Sequence, residues 1–375
     1  MAGIYLHIPF CRSACTYCNF YFTVNQSRVS SFINAIQTEI QARYHELNEP
    51  IETIYFGGGT PSILNAIQIE SILNQVFNFF IVEKDAEITL EANPEDVTLE
   101  ACNQFLSLKI NRLSLGIQSF SDTVLRNLNR SHTAAAAEKA LDTALSAGFK
   151  SVSADIIYGI PSYDADSFQK TVALLLQMEV PHISAYALTV EHKTKLSLDI
   201  SRNHFPAISE DQQVFECNYL NSKLTESDYD RYEISNYSKA GHYSRHNTGY
   251  WERKPYLGLG PSAHSFIGQQ RSWNITPLSE YIRAAQDPAS MIAGYEILHG
   301  NTLWNDFVLT KLRTKRGFSW QETKLFFPTD VIQQQLSPNI ESFRKRGWIQ
   351  PDLEKVALTA EGFHFADKIT ATLFL

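Results

Sequence analysis

Six short β-rich runs alternate with amphipathic, helix-like stretches through the first half of the chain, and this rhythm limits the possible folds more than any other feature. The predicted strands cover residues 3–9, 52–58, 87–93, 112–119, 151–159 and 182–189. The clearest predicted helices cover residues 29–47, 63–77, 134–147 and 165–177. Units of this kind build a parallel sheet covered by helices. The rhythm therefore predicts an α/β fold, either an open doubly wound sheet or a complete or partial α/β barrel.

Polar residues mark the C-terminal ends of several predicted strands. Glu91, Gln118 and Asp155 each lie at or near such an end, and the glycine triplet 57–59 directly follows another strand. Taken alone, each is more typical of a turn or a loop cap. Because the carboxyl ends of parallel strands converge on one face of a barrel, their recurrence indicates a functional site there. Glycines at this edge let bare backbone approach a ligand.

Three of the five cysteines lie close together near the start of the chain, at Cys11, Cys15 and Cys18. Clustered thiols in a long chain of this kind indicate metal or redox chemistry and not a disulfide framework. Three thiolates leave a tetrahedral metal site one ligand short. Either a structural zinc is completed by His7 or another histidine, or one corner of the metal centre is left open for chemistry. Cys102 and Cys217 lie in helix-like stretches, where a free cysteine is usually a small buried hydrophobe.

Composition and charge narrow the possible functions. The chain has 375 residues, 44% of them hydrophobic, which is enough for a large core and more than one domain. Its 32 basic and 40 acidic residues give a formal charge of -8 without a long basic run, so nucleic acid is a poor candidate partner. We find neither a basic leader nor an apolar run long enough for a transmembrane segment. These features predict a cytoplasmic protein.

The strand and helix rhythm ends near residue 208, which predicts three parts. Residues 1–208 form the α/β unit. Residues 209–300 form an accessory region that begins with a helix and continues as a loop-rich stretch dense in aromatic residues, Gly and His. Residues 301–375 form a small helical domain in which a helix, a turn and a short hairpin would resemble a winged helix.

The cysteine motif resembles that of a known superfamily. Its spacing, C-x3-C-x2-C with Tyr17 just before the third cysteine, and the segment GGGTP after a strand resemble the radical S-adenosylmethionine proteins. The resemblance implies that Cys11, Cys15 and Cys18 hold a [4Fe-4S] cluster, whose fourth iron is left for the amino and carboxylate groups of S-adenosylmethionine. Soft thiolates suit iron–sulfur chemistry. On this interpretation the missing ligand is the cofactor itself.

Further motifs resemble one branch of that superfamily, which contains the oxygen-independent coproporphyrinogen III dehydrogenases and related heme chaperones. In chain order they read YLHIPFC, YFGGGTPS, EANPE, LSLGIQSF, LNRSH and DIIYGIP. The resemblance covers nearly the whole chain and implies a partial (β/α)6 TIM-like barrel followed by the accessory region and the small helical domain. It also implies these S-adenosylmethionine contacts: Tyr5, Gly58, Gly59, Thr60, Glu91, Gln118, Arg130 and Asp155. In the dehydrogenases some of these positions serve a second S-adenosylmethionine.

Two departures and one motif favour the chaperone side of this branch. The dehydrogenases carry a further cysteine two residues after the third, where this sequence has Phe20, and they carry an N-terminal extension. The segment HNTGYW resembles the HNxxYW signature of the heme chaperones, which implies heme contacts by His246, Tyr250 and Trp251, with His264 as a second candidate ligand. We therefore expect a protein that binds heme and passes it to heme-requiring proteins such as respiratory cytochromes, with membrane respiratory enzymes as candidate acceptors. The alternative is radical oxidative decarboxylation of coproporphyrinogen III.

Overall fold

The structure, a computed structural model, describes residues 1–161 and 166–375. The strands are β1 Ala2–Ile8, β2 Ile51–Gly58, β3 Val82–Ala92, β4 Arg112–Gln118, β5 Ser151–Tyr158, β6 His182–Ala187, β7 Asp230–Arg231, β8 Asn236–Ser238, β9 Tyr256–Leu259, β10 His264–Ile267, β11 Gln270–Asn274, β12 Ile292–Ile297, β13 Phe318–Ser319 and β14 Lys355–Val356. The helices are α1 Val29–Arg43, α2 Ala66–Phe79, α3 Leu99–Ser107, α4 Asp122–Asn127, α5 Ala134–Ser146, α6 Ser167–Gln177, α7 Lys195–Ser201, α8 Glu210–Glu226, α9 Arg245–Trp251, α10 Leu278–Ala284, α11 Gly300–Lys311, α12 Thr329–Lys345 and α13 Ala366–Thr372.

All six predicted strands are present, as β1 to β6, and neighbouring members pair in parallel in chain order. The α/β fold with a mostly parallel sheet is therefore confirmed. The largest difference is at β3, which begins at Val82, before the predicted start at residue 87. Its first residues are charged and partly exposed, so they lack the apolar alternation that reveals a strand. The helix predicted at 165–177 is α6, and its first predicted residue lies outside the described residues.

The strands divide apolar from polar side chains across the sheet. On β1, Ile4, Leu6 and Ile8 are fully buried in the main hydrophobic core, to which the outer helices also contribute. The alternate residues Tyr5 and His7 point to the inner side of the curved sheet, where they meet polar residues of neighbouring strands. The inner side of the barrel is thus polar and rich in rings.

Local sequence signals start the outer helices. The Asn65 side chain accepts from the backbone N–H of Gln68, and the Gln68 side chain accepts from the Asn65 N–H, which completes a capping box at the start of α2. Thr98 and Thr133 cap α3 and α5 in a similar way. These caps set where each helix begins after a strand and so help to fix the position of the preceding loop.

The accessory region differs from the predicted loop-rich stretch, because it contributes six strands to the same sheet. β8 pairs antiparallel with β6 at one side, and β9 pairs parallel with β1 at the other, so the sheet order is β12-β11-β10-β9-β1-β2-β3-β4-β5-β6-β8-β7. These strands are two to six residues long. The shorter runs carry too little alternation to be detected from sequence, and β12 has six residues but no buried face.

A buried ion pair joins the accessory strands to α1. Arg43 donates to Glu39 at 2.7 Å, and the same nitrogen donates to the Gly258 carbonyl at 3.2 Å and to Asn274 at 3.1 Å. Asn274 also donates to Glu39 at 2.7 Å. Because every partner in this group is hydrogen-bonded, the buried charges are compensated.

The C-terminal residues have their own hydrophobic core. It contains Trp304, Phe307, Phe318 and Trp348, and it is separate from the core of the sheet. β13 and β14 pair antiparallel beside the helices α11, α12 and α13. A winged-helix relationship for this part stays a prediction. Across residues 1–161 and 166–375, no helix has the length and apolar character that a bilayer span requires.

Candidate functional site

A cavity of about 630 Å³ opens at the C-terminal ends of the parallel strands. Its wall contains ten of the eleven residues predicted to hold the cluster or S-adenosylmethionine, namely Cys11, Cys15, Cys18, Gly58, Gly59, Thr60, Glu91, Gln118, Arg130 and Asp155. These residues come from six different segments of the chain. The parallel topology brings them together because the ends of neighbouring strands meet on one face.

The three cysteines lie on the loop 10–23 between β1 and α1, and hydrogen bonds fix that loop at both sides. The Cys11 N–H donates to the Thr23 carbonyl at 3.0 Å. The Thr16 N–H donates to the Leu128 carbonyl at 3.2 Å, which ties the middle of the loop to the segment after α4. Backbone contacts therefore tie both the start and the middle of the loop to neighbouring segments.

The glycine-rich segment after β2 packs directly under the cysteine loop. The Gly59 N–H donates to the Ile8 carbonyl at 2.8 Å, and the Thr60 N–H donates to the Phe10 carbonyl at 2.7 Å. A Cβ atom on Gly59 would lie 2.6 Å from the Phe10 carbonyl oxygen and 3.0 Å from the Cys11 Sγ. Only glycine allows this close approach of the two backbones.

Arg130 places a buried cation next to the cysteines. Its Nη1 lies 3.4 Å from the Cys15 Sγ, and its Nη2 donates to Asn93 at 2.7 Å and to the Gly116 carbonyl at 2.8 Å. No acidic side chain forms an ion pair with Arg130 in the described parts of the chain. Its charge is thus directed toward the thiol and the cavity.

Glu91 lies at the end of β3 and is held by two donors. The Tyr55 hydroxyl donates to Oε1 at 2.7 Å, and the Gly58 N–H donates to Oε2 at 3.2 Å. Burial raises the pKa of Glu91 to about 7, and the nearby Asp155 carboxyl adds to the rise. Glu91 is therefore a hydrogen-bond acceptor with a fixed direction, and its pKa lies close to neutral pH.

Asp155 and Gln118 complete the wall on β4 and β5. The Ser114 hydroxyl lies 3.1 Å and 2.9 Å from the two Asp155 carboxyl oxygens, and burial raises the pKa of this carboxyl. Gln118 has a positive φ of 64°, which is uncommon for a residue with a side chain. The register between β4 and β5 shifts just before it. This backbone turn is local strain of the kind found at binding sites.

Tyr5 is the one predicted contact that does not line the cavity. Its ring stacks on Tyr55 with a centroid distance of 6.1 Å, and its hydroxyl lies 3.2 Å from the His7 Nδ1. A Cβ atom on Gly57 would lie 3.0 Å from the Tyr5 ring and 3.2 Å from the Glu91 Oε1. Tyr5 therefore lies one layer below Glu91, inside the barrel.

The donor set fits a [4Fe-4S] cluster better than a structural zinc. Cys11, Cys15 and Cys18 are free, partly exposed thiols on one cavity wall. Within the described residues no three His, Cys, Asp or Glu side chains are close enough to share one metal ion, whereas a cluster offers each thiolate its own iron. The His7 Nε2 lies 3.0 Å from the Tyr21 carbonyl, so this histidine is engaged elsewhere and is not a fourth ligand.

Comparison with known proteins places the chain in a family. The Radical SAM superfamily profile matches residues 5–175. The heme chaperone HemW of Mycobacterium tuberculosis is 32% identical over 99% of this chain and 94% of its own length. The chain belongs to the HemW family. HemW of Bacillus subtilis is 33% identical over 75% of each chain.

The solved structure of coproporphyrinogen III oxidase (HemN) from Escherichia coli has a similar fold. It superposes with a TM-score of 0.87 over 100% of this chain and 90% of its own, at 22% sequence identity. At this level of identity the likeness establishes a shared fold and leaves the activity open.

In this member of the HemW family, the HNTGYW segment forms α9 at the opposite end of the barrel from the cysteines. The His246 ring is buried, with its Nδ1 2.7 Å from the Thr53 hydroxyl and its Nε2 2.8 Å from the Tyr250 hydroxyl. Burial lowers the pKa of His246 to about 3, so the ring is neutral. The crevice beside it measures about 10 Å³, which is room for about one water molecule.

The other residues predicted to contact heme are in different surroundings. Tyr250 packs edge-on against Tyr256 at 4.5 Å, and the buried Trp251 Nε1 has no hydrogen-bond partner among the described residues. His264 lies on β10 with an exposed ring that leans on Trp273 at 6.1 Å. Neither nitrogen of His264 is hydrogen-bonded within the described parts of the chain. Of the two candidate ligands His246 and His264, only His264 therefore has an accessible imidazole.

Several wall residues of this HemW family site were missed by sequence reasoning. Asn93 lines the cavity and accepts from Arg130, and its place in the EANPE motif was a usable signal. Ser114 and Tyr186 lie on inner strand positions next to Asp155. Arg313 reaches the cavity from the loop after α11, far along the chain, and no local pattern indicates that position.

Proposed function

We propose that this protein is a heme chaperone, which binds heme and passes it to heme-requiring proteins such as respiratory enzymes. The observation that carries the proposal is the likeness to HemW of Mycobacterium tuberculosis along almost the entire length of both chains. That relative is named a heme chaperone. Phe20 adds support, since its side chain is two-thirds exposed at the edge of the cavity and cannot act as a thiol ligand.

We further propose that the cavity holds a [4Fe-4S] cluster and S-adenosylmethionine. Cys11, Cys15 and Cys18 would bind the cluster, which when bound can supply an electron to the sulfonium. The glycine segment supplies backbone next to the thiols, and Arg130 offers a cation for a carboxylate. Glu91 and Asp155 supply acceptors for hydroxyl or amino groups. Gly58, Gly59, Thr60 and Gln118 complete this proposed set.

The heme ligand is a separate question, because the cysteines are assigned to the cluster. His246 was predicted from the motif, but both of its nitrogens are hydrogen-bonded inside the barrel. A heme iron could reach it only after α9 moves away from β1 and β2. In the conformation described, we propose His264 as the axial ligand, since its ring is exposed and neutral nitrogens of histidine bind heme iron.

The alternative function is oxygen-independent coproporphyrinogen III decarboxylation. The fold is compatible with it, since the solved structure of HemN has the same overall architecture. Under anaerobic reducing conditions with S-adenosylmethionine, repeated conversion of coproporphyrinogen III would support this alternative. We expect no such turnover.

The central experiment is a heme titration of the anaerobically purified protein, followed by transfer to an apo-cytochrome. We expect stoichiometric binding with a Soret band, and movement of that band to the acceptor fraction when the two proteins are separated. A protein that binds no heme under these conditions is not a heme chaperone. Binding without transfer would leave storage of heme as its function.

A further inference from the structure

The HNTGYW segment contacts the inner floor of the barrel through a stack of rings. The His246 imidazole lies parallel to the Tyr55 phenol, with a centroid distance of 4.9 Å and an interplanar angle of 24°. Tyr5, which pairs with Tyr55 on the neighbouring strand, also stacks on its ring with a centroid distance of 6.1 Å. The Tyr55 ring thus contacts two flat neighbours.

Tyr55 connects this floor to the cavity above. Its hydroxyl donates to Glu91 at 2.7 Å, and Glu91 in turn accepts from the Gly58 N–H. Glu91 and Gly58 both line the cavity. A movement of the Tyr55 ring would therefore change the position of an acceptor in the proposed S-adenosylmethionine site.

The imidazole is itself fixed on every side. Thr53 and Tyr250 bond its two nitrogens, and Glu87 accepts from the backbone N–H groups of Arg245 at 3.1 Å and His246 at 3.0 Å. These bonds hold the first turn of α9 against β3. A side chain with this many fixed partners is suited to hold a neighbour in one rotamer.

The glycine below the imidazole is part of the same arrangement. A Cβ atom on Gly3 would lie 3.3 Å from two atoms of the His246 ring and 2.8 Å from the Thr53 hydroxyl oxygen. Gly3 on β1 therefore leaves the space that the ring occupies. A larger residue at position 3 would displace the His246 ring.

We propose that His246 is a positioning residue for the S-adenosylmethionine site, acting through Tyr55 on Glu91. This inference rests on the proposed binding of S-adenosylmethionine in the cavity. It links the motif at Thr53, near the start of β2, to Gly58 at the end of that strand, which is five residues or about 16 Å away at ~3.3 Å per residue. Its physical basis is pre-organisation, because a carboxylate already held in the binding geometry loses less freedom when the ligand arrives.

The test measures S-adenosylmethionine affinity of the cluster-loaded protein by anaerobic equilibrium dialysis. The variants are His246→Ala, His246→Phe, Tyr55→Phe and the double variant His246→Ala with Tyr55→Phe. Ile72→Ala, which removes a fully buried side chain on the outer helix α2, is the control for general destabilisation. Circular dichroism and iron content establish that each variant is folded and loaded.

We expect His246→Ala and Tyr55→Phe each to weaken binding by roughly tenfold, the scale of one hydrogen bond to a carboxylate. His246→Phe keeps a flat ring on Tyr55 and should recover part of the affinity. The double variant should bind about as weakly as Tyr55→Phe alone, because His246 acts through that hydroxyl. Ile72→Ala should bind normally.

The result distinguishes this inference from the proposed function. If the wild-type protein fails to bind S-adenosylmethionine, the proposed cofactor site is wrong. If the wild type binds but both His246 variants match it, or if the two losses simply add in the double variant, His246 does not act through Tyr55. If His246→Ala does not fold, the comparison of His246→Phe with the wild type decides in the same way.

Discussion

The Arg130 guanidinium lies 3.4 Å from the Cys15 sulfur, and it also donates to the Asn93 amide oxygen and to the Gly116 carbonyl. A positive charge at this distance stabilises the more negative state of a neighbouring centre. Arg130→Met should therefore lower the midpoint potential of the bound cluster by roughly 50–100 mV, measured by redox titration monitored by electron paramagnetic resonance. Arg126→Met, which removes an exposed arginine of α4, is the matched control. Equal shifts in the two variants would contradict a direct effect of Arg130.

Cluster assembly should depend on three cysteines and not on the other two. Replacing Cys11, Cys15 or Cys18 by Ala should remove the brown chromophore, because each thiolate is proposed to hold one iron. Cys102→Ala and Cys217→Ala should retain it, since both side chains are buried in helices away from the cavity. Iron and sulfide analysis after anaerobic reconstitution is the measurement. Full iron and sulfide in the Cys15 variant would refute the assignment.

The close approach of the glycine segment to the cysteine loop predicts a severe effect of one methyl group. Gly59→Ala should prevent stable cluster loading, since its Cβ would lie 2.6 Å from a backbone oxygen that cannot move independently. Gly249→Ala is the control, because a Cβ there meets nothing nearer than 3.7 Å and its position is helical. Reconstituted iron content should be normal in the control only. Normal loading of both variants would mean that the loop can shift without cost.

Glu91 should make the cofactor-free protein less stable as the pH rises. The unfolded chain releases this proton near the ordinary pKa of 4.5, whereas the folded protein holds it until about pH 7. Stability is therefore highest below about pH 4.5 for this group and falls as the pH rises through 7. Glu91→Gln should reduce the loss of unfolding free energy between pH 5 and pH 8 by on the order of 2–3 kcal/mol.

Urea unfolding at the two pH values is the measurement for Glu91. Glu70→Gln, which removes a carboxyl from the exposed side of α2, is the matched control. An unchanged pH dependence in Glu91→Gln would show that the carboxyl ionises in the folded protein as easily as in water.

Heme titration of two histidine variants separates the proposed axial ligands. His264→Ala should weaken heme binding by at least about tenfold and shift the Soret band, because it removes the exposed imidazole. His246→Ala should leave the Soret band unchanged if α9 stays closed. The opposite result would show that α9 opens and that the ligand predicted from the motif binds the iron.

The sequence was most informative where one short stretch carries the signal. The alternation of Ile4, Leu6 and Ile8 with inner residues identifies β1, and the cysteine spacing identifies the loop after it. Gln118, Glu91 and Asp155 could be placed together because they lie at or near the C-terminal ends of strands in one parallel sheet. These inferences need only the period of a strand and the direction of the sheet.

Other features depend on contacts between distant segments, which no local pattern contains. The strands β7 to β11 are too short to show a period and β12 has no buried face, and all six depend on the edges that β1 and β6 offer for pairing. Arg313 reaches the cavity only through the placement of the C-terminal residues. The motif that includes His246 could be recognised in the sequence. Its burial against the start of β2 could not be predicted, because a motif does not specify how deeply its residues are buried.

The pairing of β9 with β1 has a consequence for how the chain matures on the ribosome. The outer edge of β1 has no partner until residues 256–259 have been synthesised, and the outer edge of β6 has none until residues 236–238. During that interval the six-stranded arc presents two unsatisfied edges, which are sites for pairing with another nascent chain. The accessory region thus covers both open edges only late in synthesis. A fragment that stops at residue 208 keeps these edges open and should be recovered mainly as aggregates.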